Sequence, residues 1–185
     1  MFIQSLEKGI HYHVKTYGSF SFCATIDIGD NMLNELMMKM IEFDYGDPKR
    51  IQHFIKVHSF SQLIGEKEGL DAHTLFVLEA ASILHDIGIR VSEEKYGFQN
   101  GKLQEQEGPA PAREICTSLG FKEDDIERIC FLIAHHHTYT DVDGMDYRIL
   151  LEADFLVNAF EGNASIESIQ HAKEIFLKQK QVSIY

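Results

Sequence analysis

The chain has 185 residues, 44% of them hydrophobic and 25% charged, which is the balance of a single globular domain with enough apolar material for one substantial core. A net charge of −12 argues against duplex nucleic acid and anionic membrane as main partners, since both need basic surface, but leaves room for a small phosphorylated ligand if a metal supplies the positive charge. Cys23, Cys116 and Cys130 lie far apart without CxxC spacing, so neither a zinc ribbon nor a disulfide framework is indicated and a reducing cytoplasm fits. No leader and no long apolar span is read, so a cytoplasmic protein is expected. The compositional feature that stands out is ten histidines, three of them consecutive.

Residues 1–30 read as an N-terminal arm, rich in aromatic and β-branched residues around Gly18, extended or folded into a short hairpin. Its His11 and His13 are read as surface histidines. Residues 31–185 read as one helical domain. Asp30 or Asn31 caps a first helix whose apolar residues Met32, Leu33, Leu36, Met37, Met40 and Ile41 recur at helical spacing. Asp47-Pro48 starts a second helix, with a capping carboxylate and a proline in the first turn, running to about Glu68. Arg50, His53 and Val57 share one flank of it. Gly69 ends that helix and Asp71 caps the next.

The third helix is apolar on every face from Leu75 to Leu84, so it belongs in the core, and it delivers His85-Asp86 with Gly88 as its stop. An imidazole and a carboxylate side by side at the end of a buried helix are costly unless something pairs with them. A divalent metal does so, because it binds neutral imidazole and ionised carboxylate. Residues 89–105 show no periodicity and read as a long loop. Its Lys95, Asn100 and Lys102 either close over an anionic substrate or remain a solvated surface.

Glu107-Gly108-Pro109 opens a short helix to Leu119. A further helix from Lys122 to His137 begins with the acids Glu123, Asp124 and Asp125 and ends in His135-His136-His137, of which at most two can face one site. Tyr147–Phe160 is strongly apolar around two acids, Glu152 and Asp154, one of which must face inward and find a partner. A last amphipathic helix covers about Ile166 to Gln179.

Arg50-Ile51-x-His53-x-x-x-Val57, Ala81-x-x-Leu84-His85-Asp86-Ile87-Gly88 and Glu152-Ala153-Asp154, each on its own helix, resemble the HD superfamily of metal-dependent phosphohydrolases over a motif core of residues 49–160. The resemblance implies an all-α helical bundle in which His53, His85, Asp86 and Asp154 surround one divalent ion (Mn, Fe, Co, Ni, Zn or Mg). Some relatives add ligands for a second ion, and Glu107, His135 and His136 are the candidates here, although relatives carry a histidine where this chain has Glu107. The implied activity is hydrolysis of a phosphate ester, of a nucleotide or similar small molecule, by a metal-activated water. Asp86 would serve as both ligand and orienting group, and Arg50, Lys95 and Lys102 as phosphate contacts. A homodimer is left open. Two alternatives share the scaffold: a mixed-valent di-iron oxygenase, and a nucleotide-binding signalling module without turnover.

Overall fold

The computed structural model describes residues 28–167 and 169–170. Among them are eight helices and no strand: α1 (Ile28–Phe43), α2 (Pro48–Glu68), α3 (Ala72–Leu84), α4 (Gly88–Tyr96), α5 (Gly101–Glu107), α6 (Pro109–Leu119), α7 (Glu123–Ile133) and α8 (Met145–Glu161). The all-α expectation is met. The N-terminal arm through residue 27, with His11 and His13, lies outside the described residues. So does the expected last helix beyond its helical start at 166–167 and 169–170.

α3 is the axis of the bundle. Every residue from Val77 to Leu84 is buried, and the helix packs on α1, α2, α7 and α8. A helix with no polar face is stable only when neighbours cover it all round. Its start is fixed by Asp71, which accepts hydrogen bonds from the backbone N–H groups of His73 and Thr74. α2 and α8 flank it antiparallel: Lys56 and His53 near the start of α2 reach Glu161 at the end of α8, and Glu68 at the other end of α2 meets Arg148. Asp47 caps α2 through the N–H groups of Lys49 and Arg50, and Gly69 closes the helix in the left-handed conformation at φ 78°.

Four expectations are corrected. α1 begins at Ile28, so Asp30 and Asn31 lie inside its first turn instead of capping it. The segment 89–105 is not a loop: it holds α4 and most of α5. Gly88 starts α4 and does not simply stop α3. These two helices escape a hydrophobic periodicity because their contact is made by small and polar groups. Gly88 lies so close to α5 that a Cβ there would sit 2.4 Å from the Gln104 carbonyl oxygen, and the buried side chains nearby are Ser92 and Gln104. Finally, α7 ends at Ile133, and the three histidines occupy the turn that follows. His135 and His136 donate from Nδ1 to the carbonyls of Phe131 and Ile133, so their rings take over as caps of the last helical turn.

Candidate metal centre

The end of α3, the first third of α2 and the middle of α8 bring four side chains together. His53 Nε2 lies 3.2 Å from His85 Nε2, 3.1 Å from Asp154 Oδ1 and 3.4 Å from Asp86 Oδ2. His85 Nε2 lies 3.4 Å from both Asp86 Oδ2 and Asp154 Oδ1. Ligand atoms at about 2.1 Å from one ion stand about 3.0–3.4 Å apart, depending on whether the shell is octahedral or tetrahedral. The observed spacings match that range.

The tautomers point the same way. His85 Nδ1 is 2.9 Å from the Ser82 carbonyl, which can only accept, so Nδ1 carries the proton and Nε2 offers a lone pair. His53 Nδ1 donates to Glu161 Oε2 at 3.0 Å, with the same result, and Lys56 Nζ holds the other oxygen of Glu161 at 2.7 Å. Two lone pairs 3.2 Å apart repel unless a cation or a proton lies between them. Backbone carbonyls and carboxylates behind ligating histidines are the usual means of aiming them at a metal.

Beside this group, His136 Nε2 faces Asp86 Oδ1 at 3.4 Å and is a buried nitrogen without a hydrogen-bond partner among the described residues. His137 is oriented the other way round. Its Nε2 donates to Gln104 Oε1, leaving Nδ1 free, and its backbone N–H donates to Glu105 Oε1 at 3.0 Å. Two groups can therefore hold an ion: His53, His85 and Asp86, and separately Asp86, His136 and His137. Asp86 offers one oxygen to each.

Electrostatics follow from two carboxylates among buried imidazoles. Burial opposes a charge on His85, but Asp86 and Asp154 outweigh it and carry the imidazole well above its ordinary pKa. Burial likewise opposes a charge on His53, and Asp154 with Asp86 again prevails. Asp86 is pushed up by desolvation and pulled further down by His85 and His136, ending well below the usual carboxylate range. Protons thus stand in for the cation charge that the site is built to accept.

The remaining expected residues fall in several places. Arg50 lines a cleft of about 350 Å³ that opens on His53 and Asp86, together with Lys49, Glu93, Gln104 and Asn158. Lys95 and Lys102 are not among the residues that line it; Lys95 pairs with Glu107 at 3.0 Å, and Lys102 is exposed on α5. Glu107 is held by Lys95 and by Tyr96 Oη at 2.8 Å, so its carboxylate serves the α4–α5 contact instead of an ion. His135 is turned away, its ring against Phe131 and Tyr147. Of Glu152 and Asp154, Asp154 is the inward one, and Glu152 lies 3.9 Å from Arg148 on another flank. A larger groove of about 530 Å³, lined by Leu33, Phe76, His73 and Asp125 among others, contains none of these ligands.

Sequence reasoning left open which two of the three consecutive histidines face the site and named His135 and His136 as the candidates; it missed Gln104, Glu161 and Asn158. Asn158 and Glu161 follow Asp154 by four and seven residues, a helical spacing that would have put them on its face. Asn158 Nδ2 indeed donates to Asp154 Oδ1 at 2.8 Å. Nothing in the sequence signalled Gln104.

Fold and site together define a helical domain able to bind divalent metal. The HD domain family model matches residues 50–172, two thirds of the chain, and the protein belongs to that family, part of a superfamily of metal-dependent hydrolases. Comparison with curated proteins gives no match. Among solved structures, the crystal structure of selenomethionine-labelled YpgQ from Bacillus subtilis is similar, with a TM-score of 0.53 and 17% identity over 71% of this chain. The likeness covers 58% of the YpgQ chain and is one of fold. Among the described residues no helix is long and apolar enough to cross a membrane.

Proposed function

We propose that the protein is a metal-dependent phosphohydrolase acting on a phosphate ester of a nucleotide or similar small molecule. The observation that carries this reading is the convergence of His53, His85, Asp86 and Asp154, with both imidazole Nε2 atoms 3.1–3.4 Å from each other and from the two carboxylates, beside a cleft that His53 and Asp86 line together with Arg50 and Lys49. His53, His85, Asp86 and Asp154 would hold one ion, and Asp86, His136 and His137 a second. A divalent ion supplies a Lewis acid for the phosphoryl oxygen and a water of lowered pKa. Arg50 and Lys49 neutralise and orient the phosphate, while Gln99, Gln104 and Asn158 offer amides to hydroxyl or base groups of the remainder. Glu161 and the Ser82 carbonyl keep His53 and His85 in the tautomer that ligation needs.

The test is to strip the protein of metal, reload it with manganese, iron, cobalt, nickel, zinc or magnesium singly, and measure ions per chain beside phosphate release from a nucleotide panel. Asp154→Asn and His85→Ala serve as controls. Metal-dependent release that both variants lose is expected. The second histidine group would equally suit iron-based oxygen chemistry, so oxygen uptake is followed in parallel. Oxygen consumption by the iron form without phosphate release would overturn the hydrolase reading.

A further inference from the structure

Arg50 stands in the cleft with its guanidinium already engaged. Asp47 Oδ2 faces its Nε at 3.2 Å, and Asp47 is itself fixed as the cap of α2 through Oδ1. From α4, Glu93 places both carboxylate oxygens on Nη2, at 2.7 and 2.6 Å. Arg50 and Glu93 are 43 residues apart in sequence, and both line the cleft that contains His53 and Asp86. Asp47 alone suffices to orient the arginine, since it approaches from the same helical turn. Glu93 contributes something else: two anionic oxygens on Nη2 of an arginine that lines the cleft, a charge-assisted contact of the kind the same guanidinium would offer a phosphate.

We infer that Glu93 is a built-in anion placeholder, occupying the part of Arg50 that an incoming phosphate must take. The inference rests on the phosphate-handling reading of the cleft. In the free protein the Glu93 carboxylate keeps Arg50 paired. When a phosphate enters, its oxygens replace those of Glu93, which swings to solvent from a side chain already 42% exposed. Glu93 thereby sets a threshold: only an anion that also gains contacts at the metal centre displaces it, whereas a lone weak anion does not. This gives α4, which joins the HisAsp turn to the cleft rim, a role in selectivity.

Titration calorimetry of inorganic phosphate into the manganese-loaded protein tests this, with wild type, Glu93→Gln, Glu93→Ala and Arg50→Gln compared at equal metal content. Both Glu93 variants should bind phosphate about five- to tenfold tighter than wild type, the scale of freeing an exposed ion pair and removing a like charge, and Arg50→Gln should bind it weaker. Phosphate affinity in both Glu93 variants no tighter than wild type would overturn the inference and leave Glu93 as a brace between α2 and α4. Undetectable phosphate binding in wild type and both Glu93 variants overturns it as well. If the ranking holds in a protein that hydrolyses no ester, the placeholder stands and the hydrolase reading falls. Hydrolysis with unchanged affinity in the Glu93 variants means the reverse.

Discussion

Substituting Gly88 by alanine should damage this protein far more than a single methyl group suggests. The added Cβ would lie 2.4 Å from the Gln104 carbonyl oxygen, 2.9 Å from its Cα and 3.0 Å from its carbonyl carbon. All three are backbone atoms of α5, so no rotamer change relieves the clash. The Gln104 oxygen is also pinned from behind, because it accepts the Gly108 N–H at 2.9 Å. Overpacking a filled interior costs about 1–3 kcal/mol, and a backbone-on-backbone clash belongs at the upper end, about 3 kcal/mol. For a chain of this size that lowers the melting temperature by roughly 6–12 °C. The assay is thermal unfolding of metal-free protein by far-ultraviolet circular dichroism. Gly97→Ala serves as the control: its Cβ meets nothing within 4 Å, and it carries only the left-handed strain of φ 78°, about 1–2 kcal/mol. A melting loss for Gly88→Ala no greater than that for Gly97→Ala would refute the close approach of α4 and α5. Because Gln104 also holds His137, the variant should in addition lose affinity for a second ion.

Other consequences are equally direct. Glu161→Ala should weaken metal binding at His53 by about 10–100-fold in calorimetry, with Glu161→Gln in between, since the carboxylate behind the imidazole fixes its tautomer and raises its basicity. His136→Ala should lower the metal stoichiometry, whereas His135→Ala should leave it unchanged and cost only about 1 kcal/mol of stability from the lost carbonyl hydrogen bond. Asp44 gives a pH signature. Burial lifts its carboxyl from an ordinary value of 3.8 to about 6, against the pull of Arg50, so the folded state keeps a proton that the unfolded state has lost. Stability from this group is therefore gained as pH falls from about 7 towards about 4. Asp44→Asn should be more stable than wild type at about pH 8 and no more stable at about pH 4.5, measured by urea unfolding; equal differences at both pH values would rule the burial argument out.

What the sequence determined by itself is the part governed by local rules. Helical periodicity and the caps Asp47 and Asp71 placed α2 and α3. The unbroken apolar run to Leu84 put His85-Asp86 at the end of a core helix, where an unpartnered imidazole and carboxylate are too costly to leave alone. From that, the all-α class and HD-type membership could be read. Tertiary structure decided the rest, because it turned on atoms meeting across the bundle. α4 and α5 were invisible to periodicity because Gly88 and Gln104 make their contact through backbone and amide, with no apolar stripe to see. That contact carries Gln104 and Glu105 to His137, and so selects His136 and His137 over His135 for Asp86. Glu107 looked like a ligand in sequence, yet Lys95 and Tyr96 hold its carboxylate across the contact between α4 and α5. Which side chains share an ion depends on distances of about 3 Å between helices remote in sequence, and only the packed core fixes distances of that kind.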